Sequence, residues 1–164
     1  MKLLQCAVYL AVTGIIGFLL GRVVPKKWIN PQSGLYRCHA FERNGKLYEK
    51  IKIHRWHNLV PSMSRILPFM MPAKNLKGNW RERLPLMIHE TCVAELIHWL
   101  LCISALYCLR IWPGTGGAFI TIFYILVLNL PFILIQRYNR PRLLLLQQKS
   151  IAREQRIKEN LCAH

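Results

Sequence analysis

Between Glu90 and Trp112 the sequence ETCVAELIHWLLCISALYCLRIW places Glu90, Glu95 and His98 in an otherwise apolar stretch. At 100° per residue, Thr91, Glu95, His98 and Cys102 fall within about 60° of one another on a helix, and side chains three residues apart touch. A carboxyl beside an imidazole supplies an orienter and a base, the pair that general acid–base chemistry uses. Ionisable groups in a membrane-length helix are costly, which makes them functional-site candidates. The nine Val, Leu and Ile residues of this stretch contribute about −3 to −5 kcal/mol to insertion, whereas one central charge costs about 3 kcal/mol. Glu95 is therefore expected to be neutral, paired with His98, or turned toward a polar cavity.

A second apolar run ends in Gln136-Arg137-Tyr138-Asn139-Arg140-Pro141-Arg142. Guanidinium groups at a membrane interface are suited to phosphate or carboxylate, which they bind through paired hydrogen bonds. An antiparallel hairpin of the two runs sets these residues beside Glu90, Glu95 and His98. The pattern predicts acyl or group transfer at a lipid boundary. His98 is the candidate base, Glu95 or Glu90 its orienter, and Arg137 and Arg140 the anion donors; Gln136, Tyr138 and Asn139 complete the substrate-binding set. The bland alternative makes Glu95 and His98 helix glue in a non-catalytic membrane subunit or scaffold, and Arg142 a stop-transfer cation. A third reading, a peptide-binding or immunity protein, predicts binding without turnover. Glu-x-x-His is also a metal-site spacing in helix bundles. Only one copy occurs, with His89 and Glu90 as the further ligands in reach, so no metal or cofactor is expected. All seven acids are Glu, which excludes a Ser-His-Asp triad, an Asp-ligated metal and a His-x4-Asp acyltransferase motif. The six cysteines form no Cys-x-x-Cys pair, and thiols in apolar runs behave as small hydrophobes. A thioester through Cys92 or Cys102 is the less favoured route, because nothing nearby activates either thiol.

The elements that position these residues follow from composition. A chain that is 53% hydrophobic with a net charge of +16 reads as a membrane protein whose charge meets anionic headgroups or substrate, not as a nucleic-acid binder. The fold class is all-α, a single membrane domain over 1–164. Three transmembrane helices are expected at about 3–20, 91–112 and 118–135. The first is read as uncleaved, since no small-x-small site follows it. The uncharged turn Pro113-Gly114-Thr115-Gly116-Gly117 makes the last two a helical hairpin, with a kink near Asn129 and Pro131. Segment 22–89 is basic and cytoplasmic or interfacial. Within it, Asn44-Gly45 and the alternating stretch Leu47–Ile53 suggest a β-hairpin. Trp56–Pro61 and Ile66–Pro72 are expected at the membrane surface. Tail 136–164 is cytoplasmic, its leucines and charges forming a separate interfacial helix from Leu143 to Asn160. Segment 22–89 carries fourteen Lys and Arg, the tail seven and the turn 112–117 none. That bias puts the N-terminus outside a multi-pass cell-membrane protein.

Ala94-Glu95-Leu96-Ile97-His98-Trp99 and Gln136-Arg137-Tyr138-Asn139-Arg140-Pro141-Arg142-Leu143 resemble the glycosyl-4,4'-diaponeurosporenoate acyltransferase family. So do Pro25 with Trp28, then Phe41-Glu42, Gly45, Tyr48 and Lys50, then Trp56 and Pro61. The chain departs from the pattern at His57 and after Leu59. The resemblance implies an integral membrane enzyme late in staphyloxanthin-type carotenoid biosynthesis. Such an enzyme esterifies the glucose C6 hydroxyl of a glycosylated lipid with a fatty acyl group. Its partners would be membrane lipids, the glycosylated carotenoid and a fatty acyl donor such as acyl-coenzyme A as co-substrate, with no nucleic acid.

Overall fold

The structure is a computed structural model, and it describes residues 1–32, 34–40, 42, 46–50, 52–56 and 80–162. The described residues form helices and turns, with no strand among them. In chain order the helices are α1 (Lys2–Val23), α2 (Lys46–Lys50), α3 (Ile53–Trp56), α4 (Trp80–Ala105), α5 (Cys108–Ile111), α6 (Thr115–Phe123) and α7 (Leu130–Cys162). A π-helical segment, Tyr124–Asn129, joins α6 to α7, and 3₁₀ turns lie at Lys26–Trp28 and Gly34–Tyr36. Three helical stretches, Lys2–Val23, Trp80–Ile111 and Thr115–Leu161, are long and apolar enough to cross a membrane.

The contacts divide the chain into two compact units, one of Met1–Asn30 with Cys92–Gln136 and the other of Pro31–Thr91 with Arg137–His164. In the first unit, α1 packs on the second half of α4 through glycine. A Cβ on Gly17 would stand 3.2 Å from Ile97, and one on Gly21 would stand 3.3 Å from it. Small residues let helix backbones approach where lipid supplies no hydrophobic drive. Cys6, Leu10, Ala105 and Cys108 form the core here, with Tyr9 and Trp112 against it. The remainder of α1 presents Leu4, Val8, Ile15 and Leu19 outward, as a lipid-facing helix must.

Helix α4 stops at Ala105, and its last carbonyls find side chains. Tyr9 Oη donates to the Ser104 carbonyl at 3.0 Å and Thr121 Oγ1 to that of Ala105 at 3.3 Å. Helix ends leave carbonyls orphaned, and in hydrocarbon only protein can satisfy them. The single helix expected over 91–112 is thus broken at 106–107, and it begins upstream at Trp80 with Pro85 inside it. Pro85 deletes one hydrogen bond near the start of the helix, which the rest of α4 tolerates.

The hairpin link is shorter than the glycine run suggests, because Thr115, Gly116 and Gly117 already belong to α6. Gly114, at φ 101°, makes the reversal, a conformation closed to side chains with a Cβ. A Cβ on Gly116 would lie 2.2 Å from the Trp112 ring, and one on Gly117 would lie 1.9 Å from the Trp112 carbonyl oxygen. Gly116 therefore seats the indole against α6, and Gly117 leaves room for the Trp112 carbonyl.

The second unit replaces the expected β-hairpin with helices α2 and α3, separated by Lys52 at φ 52°. Lys, Leu and Glu favour helix, and one helical face suffices to bury Tyr48. An alternation over so few residues does not separate the two periods. The tail is not a separate helix either. It continues α7 through Pro141 to Cys162. Asn44-Gly45, the Trp56 side chain, His57–Pro61 and Ile66–Pro72 lie outside the described residues.

Candidate active site

In the first unit the chemistry centres on His98, which α4 carries one turn after Glu95. The imidazole stacks on Phe132, ring centroids 4.7 Å apart and planes 10° from parallel. Its Nδ1 is 2.9 Å from Asn129 Oδ1. The orientation of that amide is set locally, since Asn129 Nδ2 donates to the Tyr124 carbonyl at 2.9 Å. The spacing of the backbone ladder around Asn129 makes the carbonyl reachable. Pro131 has no N–H for the residue four before it, and the ladder runs at five-residue spacing, with the Leu130 N–H on the Ile125 carbonyl. The π segment swings Asn129 inward, where it is 1% exposed.

One protonation pattern follows. With the amide nitrogen committed to a carbonyl, Oδ1 must accept, and Nδ1 must be the nitrogen carrying hydrogen. Nε2 then holds the lone pair and has no protein partner among the described residues. Asn129 is the residue that holds Nδ1 of the ring. Glu95 is fully buried and is not without a partner.

In the second unit the arginines of α7 organise the chain after Pro31. Arg137 Nε meets Glu42 Oε1 at 2.7 Å, and its other nitrogens donate to the carbonyls of Leu35 and Arg37. Glu42 also accepts from the Tyr48 hydroxyl and from the His39 N–H. Burial pushes the Glu42 carboxyl up, but Tyr48, His39 and Arg137 together outweigh it and hold it below the ordinary value. Tyr48 is driven well above its ordinary value, by burial first and then by Glu42. Arg140, 2% exposed, donates to the Thr91 hydroxyl and carbonyl and to the Tyr36 carbonyl, over whose ring it sits at 5.3 Å. Arg142 pairs with Glu49 at the surface and covers the Tyr138 ring. Such an exposed pair is worth little.

The anticipated residues are thus distributed. Glu95, His98 and Gln136 belong to the first unit, and Glu90, Arg137, Tyr138, Asn139 and Arg140 to the second. Glu90 and Asn139 are half-buried, and Tyr138 is buried. Among the described residues no group of three His, Cys or Glu could hold a metal ion.

Residues 25–149 match the family model described as glycosyl-4,4'-diaponeurosporenoate acyltransferase. The chain belongs to that family. Proteins of that name from Staphylococcus aureus strains N315, USA300 and Newman are each 30% identical to it over 140 residues, 84% of this chain and 83% of theirs. No solved structure matches. In this acyltransferase the stretch matched by the family model contains both constellations, from Glu42 to Arg140, and leaves all of α1 outside. Asn129 is the residue that the spacing of Glu95 and His98 misses. A signal for it exists, because a carboxamide in an apolar run beside a proline needs a partner, and His98 is the polar group of the neighbouring span able to supply one.

Proposed function

We propose that this acyltransferase esterifies the glucose C6 hydroxyl of a glycosylated C30 carotenoid with a fatty acyl group, using His98 as the general base. The observation that supports the reading is the His98–Asn129 hydrogen bond, which makes Nε2 the basic nitrogen. In the step, Nε2 takes the hydroxyl proton as the sugar oxygen bonds to the acyl carbonyl carbon. The C–S or C–O bond to the donor's leaving group then breaks, and the imidazolium returns the proton to that group. Arg137 and Arg140 shape the second unit through the carbonyls they hold. The excess of Lys and Arg in the sequence of that unit favours an anionic donor such as acyl-coenzyme A. Glu90 receives no part in the proton transfer.

The enzyme is placed in the cell membrane with its N-terminus outside and its basic middle segment and C-terminus in the cytoplasm, on the strength of the Lys and Arg distribution. The test of the chemistry is ester formation by purified protein in lipid nanodiscs, with labelled acyl-coenzyme A and the glycosylated carotenoid. His98→Ala is expected to lower kcat by about 10²–10⁴-fold, the usual reach of a positioned base. Full activity in both His98→Ala and Asn129→Ala would remove His98 from the mechanism. The same hydrogen bond favours a second reading, a polar stitch between helices in a non-catalytic subunit. That reading predicts lost thermal stability in His98→Ala and no turnover by the unmodified protein.

A further inference from the structure

The first unit contains an apolar groove of about 840 Å³ that the acid–base chemistry does not use. Its walls include Leu10 and Ala11 of α1, Phe119 of α6, and Tyr124 and Leu128 of the π segment, with Trp112 at one end. We infer that this groove holds the hydrocarbon chain of the acyl donor, with the reactive carbonyl toward Asn129 and the methyl end at Trp112. The inference rests on the reading of His98 as the base.

Three observations carry it. First, groove and base are linked through Tyr124. Its carbonyl accepts from Asn129, the hydrogen-bond partner of His98, while Tyr124 also lines the groove together with Leu128, the residue before Asn129. Second, the groove has a direction and an end. Its lining follows one helical run from Leu128 through Tyr124 and Phe119 to Thr115, and the Trp112 indole, seated on Gly116, lies at the start of α6, so a chain with its carbonyl end at Leu128 runs along the helix until it meets the ring. Third, the length discriminates between the two substrates. Thr115 to Leu128 spans about 20 Å at helical rise, enough for a flexible long-chain acyl group. A rigid conjugated C30 chain is closer to the full hydrocarbon thickness of about 30 Å. The open side of the groove faces where lipid would be, so the chain enters laterally from the bilayer.

Palmitoyl-coenzyme A carrying a diazirine on its terminal carbon provides the test, with the full-length protein in nanodiscs. Photolysis and peptide mass spectrometry should place the label on Trp112 and Phe119. Label spread over the outward residues Leu4, Val8 and Ile15 would mean ordinary lipid contact and overturn the inference. So would label at those groove positions from a terminally tagged polyene in place of the acyl chain. Chain-length preference gives a second measure, by competition of unlabelled palmitoyl- and lauroyl-coenzyme A against the probe. Ala11→Phe, at an exposed position that tolerates bulk, should shift the preference toward lauroyl by about tenfold, and Phe119→Ala should shift it toward longer chains. An unchanged ratio in both variants would overturn the proposal. Because labelling and competition need no turnover, a failure of the His98 mechanism would appear as full ester formation in His98→Ala and Asn129→Ala with an intact label map.

Discussion

At the scale of single residues, the decisive relationship is a chain of three groups: the Tyr124 carbonyl orients Asn129, and Asn129 orients His98. Removing the middle member should leave the imidazole in place on Phe132 but free its tautomer. Asn129→Ala is therefore expected to reduce kcat by about 10²-fold with little change in KM, measured as steady-state ester formation. Asn129→Asp should be nearly as damaging, because it replaces the amide that donates to Tyr124 with a carboxylate that repels the carbonyl. In the second unit, Arg137→Ala strands the Glu42 carboxylate, which is 2% exposed. Breaking one side of a buried pair costs about 3 kcal/mol or more. Thermal unfolding should show that loss, and adding Glu42→Gln should recover part of it.

Elements behave differently from residues, and the π segment is the clearest case. Pro131→Ala restores the missing N–H, so the ladder can close at four-residue spacing and gain about 1 kcal/mol. The same repair rotates Asn129 away from His98. The variant should unfold at a higher temperature yet transfer acyl groups at least about tenfold more slowly. The apolar run 118–135 made a third helix legible in the sequence, and Asn129 with Pro131 marked its irregularity. Hydropathy does not tell four-residue from five-residue spacing, so the direction of Asn129 stayed hidden. Helix α2 was misread because the alternation Lys50-Ile51-Lys52-Ile53 at its end has a two-residue period. What decides for helix is Tyr48 reaching Glu42. The pH response belongs at this scale. Glu42 titrates below its ordinary value, so its stabilisation is complete above about pH 4.5 and declines as pH falls toward the depressed value. Tyr48 is shifted upward, so its contribution is complete below about pH 10 and declines above it. Limited proteolysis of the second unit should be slowest between those bounds.

For the whole molecule, three membrane-length helices and a one-sided distribution of cations were readable from composition alone. The division into two units was not. Two of its boundaries fall inside α4 and α7, where the helix runs on unbroken. Nor does sequence spacing announce that Arg137 and Arg140 hold carbonyls of the segment from Leu35 to Arg37, about a hundred residues earlier. Sidedness can be checked with an impermeant maleimide on intact cells. Cysteine at Pro113 should react from outside, and cysteine at Lys149 only after permeabilisation. The reverse pattern would invert the orientation. The indole wedged over Gly116 has one more use. Trp112 is one of five tryptophans, and a variant retaining it alone would carry a native fluorophore in the lining of the groove. Bromine atoms near the tip of a bound chain would darken its emission, so occupancy could be followed optically in real time without tagging the enzyme.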